Sequence, residues 1–248
     1  MATLSPTVTL KYPKTGRGGG DVPPTTGGGG NGDSGSNGAP DYGERLRRAR
    51  LGLAVALAPI IMLFVSFTSA YIVRQGLPTL DERTGTYVRD WLAVNLPIAL
   101  LLVNSLLLIA SSVTMEFARR NIARQVALAP VRSIPGVSLG NERSFPWLNI
   151  TAVLGMAFLG GQWLAWRELA NRGFYLATSP SSSFVYLLTG AHAIHLAGGV
   201  IALLYAAMTP VFHKPIEAQR IVIDVAAWYW HFMALLWLYI FALLVFAR

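Results

Sequence analysis

The sequence predicts an all-α integral membrane protein, a bundle of five transmembrane helices with its N-terminus cytoplasmic and its C-terminus on the periplasmic side. Three observations carry this. Only 13% of the 248 residues are charged and 53% are hydrophobic, where a soluble domain carries about a quarter charged. The apolar residues gather into five runs, near Leu51–Val73, Trp91–Val113, Trp147–Trp166, Phe184–Met208 and Val225–Phe246. Each is long enough for a hydrocarbon core that takes about 20 helical residues to cross. The third observation is where the arginines fall.

Arg45, Arg47, Arg48 and Arg50 crowd before the first run, and Arg119, Arg120, Arg124, Arg132 and Arg143 separate the second from the third. Lys214 and Arg220 separate the fourth from the fifth. On the other side, Arg74, Arg83, Arg89, Arg167 and Arg172 are largely offset by Asp81, Glu82, Asp90 and Glu168. Basic residues are retained in the cytoplasm, so the arginine-rich side is inside. The net charge of +8 is thus a topology signal, and no nucleic-acid surface is needed to explain it.

Two domains are expected. Residues 1–43 are a Gly/Pro/Ser/Asn-rich tract that buries too little apolar surface to offset its ordering entropy. It is expected to be a flexible cytoplasmic tail, with Leu4, Val8, Leu10 and Tyr12 available to dock on a partner subunit. Residues 44–248 form the transmembrane domain. A loop of about thirty residues holding Pro130, Pro135 and Pro146 is expected between the second and third spans, and the other connections are short; such turns make neighbours alternate in direction. The absence of cysteine excludes disulfides and thiolate ligands. No apolar signal segment precedes the first span.

Polar groups inside the hydrocarbon mark candidate sites, since each is costly unless paired. The third span carries Thr151 and Gln162, the fourth His192 and His195, and the fifth His231. Glu116 and Glu168 are read as lying at helix ends, within reach of water. Metal or haem ligation, a proton path and packing compete as roles for the histidines. A metal would call for further ligands and for carboxylates orienting the imidazoles, and no acidic partner is evident at that depth. At 1.5 Å per residue, His195 lies about 16 Å below Phe184 and His231 about 9 Å above Val225. The two levels differ by only about 5 Å in a core of about 30 Å. The imidazoles are therefore expected to hydrogen-bond neighbours or to face a lipid headgroup, with metal or haem ligation the less favoured alternative.

Small residues fill the same spans: Gly155, Gly160 and Gly161 in the third, Gly190, Gly198 and Gly199 in the fourth. In lipid, small side chains let helix backbones approach closely, so Gly155, Gly190 and Gly199 are helix-packing candidates. Trp228, Tyr229, Trp230 and Trp237 lie in part too deep to be only an interfacial belt. They are expected to pack against another subunit or to donate to histidine and carbonyl partners.

The motifs, in order, resemble the haem-copper oxidase subunit III family, in the short five-helix form of the bacterial cytochrome c oxidase subunit. Met62-x-Phe64 with Ala70-Tyr71 and Arg74 is similar to the first shared helix, and Asn104 with Ser111-Ser112-Val113-Thr114 to the next. Thr151, Leu154-Gly155, Phe158 and Gln162 follow, then Phe184, Thr189-Gly190, His192, His195 and Gly199. The run Trp228-Tyr229-Trp230-His231-Phe232 with Trp237 resembles the family's most distinctive signature.

The resemblance implies a cofactor-free accessory subunit of an aerobic terminal oxidase that reduces oxygen to water and pumps protons. Haem and copper would sit in partner subunits I and II. This chain would stabilise the catalytic subunit, hold phospholipid in a cleft and support oxygen access, with His192, His195, His231, Gln162, Tyr229 and Trp230 as the polar candidates there. Further subunits or a respiratory supercomplex are other implied partners, and a bacterial plasma membrane is the implied location. Four family carboxylate positions read Ile60, Ala99, Ala165 and Ala234, which argues against proton exchange through this chain. The alternatives are the same subunit of a quinol oxidase or nitric oxide reductase and, from another class, a small membrane transporter.

Overall fold

The computed structural model describes residues 42–80, 83, 85–88, 91, 94–132, 146–176, 178–209 and 216–246. The tail expected over residues 1–43 lies outside these, save its last two residues. Five helices make up the described chain: α1 (Tyr42–Gly76), α2 (Ile98–Arg132), α3 (Trp147–Asn171), α4 (Pro180–Met208) and α5 (Ile216–Phe246). All five are long and apolar enough to cross a membrane. Between α1 and α2 the backbone forms a small antiparallel hairpin, β1 (Thr79–Leu80) and β2 (Tyr87–Val88).

The helix ends follow local chemistry. Ser179 caps α4, accepting from the Ser182 amide while the Ser182 hydroxyl accepts from the Ser179 amide, and Pro180 occupies the first turn. That reciprocal arrangement satisfies amides which have no partner within the helix. At the end of α3, Gly173 takes a φ of 84°, and the Phe174 amide reaches back to the Leu169 carbonyl at 3.1 Å. Left-handed backbone of this kind is where glycine terminates helices.

The second span differs from expectation at both ends. Its helix begins at Ile98, not Trp91, directly after Pro97, since the residue before a proline is held out of helical backbone. It then runs on through Pro130 to Arg132, which removes most of the thirty-residue loop expected there. Glu116, Arg119 and Arg120 stand at spacings of three and four and pair along one face, as helical charges do. Glu116 is accordingly an interior helix residue, not a terminal one.

Helices α2, α3, α4 and α5 close into a ring, each packed against its two neighbours, and α1 lies outside along α4 and α5. Side-chain pairs set the directions. On α2 and α5, Ser105 meets Trp237 while Ser111 meets Trp230, so those helices are antiparallel. On α1 and α5, Arg50 meets Asp224 and Thr68 meets Tyr239, so those run parallel.

The ring axis is filled largely by α5. Trp230 and Trp237, seven residues apart on one helix face, are 0% and 1% exposed. Trp230 reaches across to Gly155 of α3 and Gly199 of α4. Trp237 packs edge-on against Phe158, with centroids 4.9 Å apart.

Candidate functional site

The polar groups of the spans form a ladder of helix-to-helix hydrogen bonds centred on α2. The indole N–H of Trp230 donates to Ser111 Oγ at 3.0 Å, and that of Trp237 to Ser105 Oγ at 2.9 Å. Asn104 Nδ2 donates to the Phe158 carbonyl at 3.3 Å, and Thr114 pairs with Thr151 at 2.9 Å. Away from water each pair is modest, averaging about 0.6 kcal/mol, yet it fixes rotation and register between helices. The indoles thus find hydroxyls, where histidines and carbonyls were expected. Tyr229 does take a carbonyl, donating to that of His195 at 2.8 Å.

The three histidines occupy three environments. His192 is fully buried in the ring, its imidazole 5.2 Å from the Trp237 ring and 5.9 Å from Phe158 between centroids. Both of its nitrogens lack a hydrogen-bond partner among the described residues, as does Gln162 Oε1. His195 turns out of the ring toward α1, donating from Nδ1 to the Ala191 carbonyl at 2.7 Å and packing on Phe64. Residues three apart lie only about 60° apart around a helix, so the pair straddles the edge of the packed face, with His192 just inside the ring and His195 just outside it. Gln162 is likewise buried, while Tyr229 is half-buried on the α4–α5 face.

His231 corrects one expectation. Its Nδ1 bonds Ser112 Oγ and its Nε2 lies 3.7 Å from Glu116 Oε2, so an acidic neighbour does stand beside an in-span histidine. The carboxylate is Glu116, expected at a helix end and found inside α2. Glu116 in turn receives Arg119 and Arg120, both at 2.8 Å. Arg119 also approaches Asp224 at 3.5 Å, and Asp224 is held by Arg50 at 2.8 Å. This relay ties α1, α2 and α5 at one end of the bundle. Asp224, only 8% exposed, was missed in sequence. Its one signal is a lone carboxylate beside the fifth apolar run. Among the described residues, no three His, Asp or Glu side chains gather closely enough to hold a metal ion.

The packing glycines divide. A Cβ on Gly155 would stand 2.6 Å from Trp230 Cη2, and one on Gly199 would stand 2.9 Å from Tyr229 Cε1. A Cβ on Gly161 would meet the Asn104 amide, whereas Gly190 has no neighbour nearer than Trp166 at 3.9 Å. Gly155→Ala is therefore expected to destabilise the bundle by about 1–2 kcal/mol, since overpacking a tight core shifts its neighbours. Gly160, whose Cβ would meet nothing within 4 Å, supplies the control. Gly160→Ala should leave detergent unfolding unchanged within about 0.5 kcal/mol, and equal losses for the two would refute the assignment.

A ring of four helices with an outer fifth, all five long and apolar enough to cross a membrane, defines a multi-pass helical membrane protein. The chain belongs to the cytochrome c oxidase subunit III family, whose profile matches residues 45–247. It is 26% identical over 198 residues to a probable cytochrome c oxidase subunit 3 of Nocardia farcinica, covering 80% of this chain and 87% of that protein. The cytochrome c oxidase subunit 3 of Corynebacterium diphtheriae is 27% identical over 200 residues, covering 80% and 87%. A probable cytochrome c oxidase subunit 3 of Mycobacterium bovis is 33% identical over 102 residues, 41% of this chain, and there the match spans half the length of the relative.

Proposed function

We propose that this chain is the accessory subunit III of an aerobic terminal oxidase in a bacterial plasma membrane, with cytochrome c as electron donor. It carries no redox centre of its own, stabilises the catalytic subunit beside it, and supports oxygen access. Haem and copper belong to partner subunits I and II in this reading. The arginine-rich end, where α1 and α5 begin and α2 ends, faces the cytoplasm. The family match over residues 45–247 carries the proposal. The side-chain geometry supports it, because the in-span hydroxyls, indoles and Asn104 serve helix-to-helix bonds.

The lipid role falls on the outer face of the ring. An apolar groove of about 480 Å³ opens between α1, α4 and α5, lined by Leu53, Gly199, Ala202, Tyr205 and Tyr229 among others. Its volume and apolar wall suit an acyl chain. His195 and Tyr229 border this outer side, whereas His192, Gln162 and Trp230 face the ring interior and serve packing.

Affinity purification of the tagged chain from its native membranes, with optical spectra and lipid analysis, tests the proposal. Haem-bearing partners and retained phospholipid are expected to co-purify. A copper-binding partner would distinguish cytochrome c from quinol as donor. Tyr229→Ala should reduce the retained lipid without changing haem per catalytic subunit. Isolation of the chain free of any haem protein, or a haem signal lost with His192, His195 or His231, would overturn the reading.

A further inference from the structure

We propose that the end of the bundle where α1, α2 and α5 meet is a binding site for a tetrahedral oxyanion, a phosphate either free or carried by a lipid headgroup. A cavity of about 200 Å³ opens there, lined by Arg50, Arg119, Arg120 and Arg220, with Asp224 in its wall. It lies on the α2 side of the α1–α5 contact. The apolar groove lies on the α4 side, so the two are separate.

The charges around this cavity do not balance. Asp224 takes Arg50 and, more distantly, Arg119, and Glu116 takes Arg119 and Arg120. Four guanidinium groups thus face two carboxylates, leaving a local excess of two positive charges among the described residues. Donors are also left over. Arg120 meets Glu116 through Nε, and its two terminal nitrogens have no partner among the described residues. Arg220 lies over the Tyr42 ring at 5.5 Å and makes no hydrogen bond or ion pair among the described residues.

Planar guanidinium forks arriving from three helices match the oxygens of a phosphate, which each fork can engage with two parallel N–H donors. Like charges crowded at the edge of a low-dielectric slab repel one another. Water damps this here, because the Arg50, Arg119 and Arg120 side chains are 48%, 37% and 67% exposed, and a phosphate of one or two negative charges relieves what remains. A water occupies about 30 Å³ of liquid, so the cavity has room for the anion and part of its hydration. A neutral or cationic ligand would leave the excess in place.

The test uses the intact purified complex in neutral detergent, with two probes. Equilibrium dialysis with radiolabelled inorganic phosphate reads the free anion. Incorporation into vesicles of phosphatidylglycerol or phosphatidylcholine, followed by delipidation and phosphorus counting, reads the headgroup. Binding to the wild-type chain in at least one arm is expected, falling about tenfold in R120Q/R220Q, as when charge-assisted donors are removed. That double variant leaves the Arg50–Asp224 and Arg119–Glu116 pairs intact. R220Q alone should show an intermediate loss and, lacking any hydrogen bond to break, guards against misfolding. Phosphate bound in the first arm assigns the free anion, and phosphatidylglycerol retained over phosphatidylcholine in the second assigns the headgroup. Absence of binding in both arms, or binding equal in wild type and both variants, overturns the proposal.

Discussion

Replacing Trp230 by alanine is expected to destabilise the purified protein by about 3–5 kcal/mol, the range for removing a large aromatic from a packed core. The indole is fully buried on the ring axis, within van der Waals reach of α3 at Gly155 and α4 at Gly199. It is also bonded to α2 through Ser111 at 3.0 Å. One side chain from α5 therefore bridges to the other three ring helices, and its loss opens a void that none of them can fill alone. Trp230→Phe keeps most of the packing and loses the hydrogen bond, so about 1–2 kcal/mol is expected. Trp228, two residues away and 54% exposed, sets the baseline: Trp228→Ala should change detergent unfolding by less than about 0.5 kcal/mol. The experiment is a titration with denaturing detergent, followed by loss of helical signal. Equal midpoints for the alanine variants of Trp228 and Trp230 would falsify the bridging role.

The same tryptophans show how far the sequence is legible. Five apolar runs locate five helices because hydrophobic length alone decides what can cross a bilayer. The fifth run also carries its packing pattern openly, in aromatics seven residues apart that share a helix face. Hydropathy fails where a helix leaves the hydrocarbon. From Glu116 onward α2 becomes polar and reads as a loop, although its charges keep the spacing of three and four that marks a helix. Trp91 misleads in the opposite sense, since apolar residues before Pro97 extend the run without extending the helix.

The site residues divide along the same line. Gly155 and Gly199 can be picked out as small residues in apolar spans, but nothing local distinguishes them from Gly190. The difference is the aromatic pair Tyr229 and Trp230, thirty or more residues away. The histidine pair suggests a shared environment by its spacing, while the edge of the packed face falls between the two rings. Asp224 is least legible of all. Its partners Arg50 and Arg119 lie 174 and 105 residues away, and only the parallel packing of α1 on α5, with α2 closing the ring, brings them together.

That juxtaposition leads to the second large effect, at the seam holding α1 to the ring. Asp224→Asn is expected to cost about 2 kcal/mol, because the largely buried carboxylate loses its charge-assisted bonds while its cations, partly exposed, recover water. Here the cations are two, Arg50 at 2.8 Å and Arg119 at 3.5 Å. Arg50→Gln should cost less, because Asp224 keeps Arg119 and the Arg50 side chain is half exposed already. In the double variant the penalties should not add, and the cycle should return a coupling of about 1–2 kcal/mol, as for residues in direct contact. The Arg48–Glu44 pair at 3.3 Å, on the exposed face of the same helix, should couple by no more than about 0.5 kcal/mol. A structural readout separates this from general weakening. Crosslinking between α1 and α5, through cysteines introduced at Thr68 and Tyr239, which hydrogen-bond at 3.1 Å, should slow in Asp224→Asn. Crosslinking between α2 and α5, through cysteines at Ser105 and Trp237, should not. If both slowed alike, the carboxylate would be stabilising the whole ring; a selective effect places it at the attachment of the outer helix.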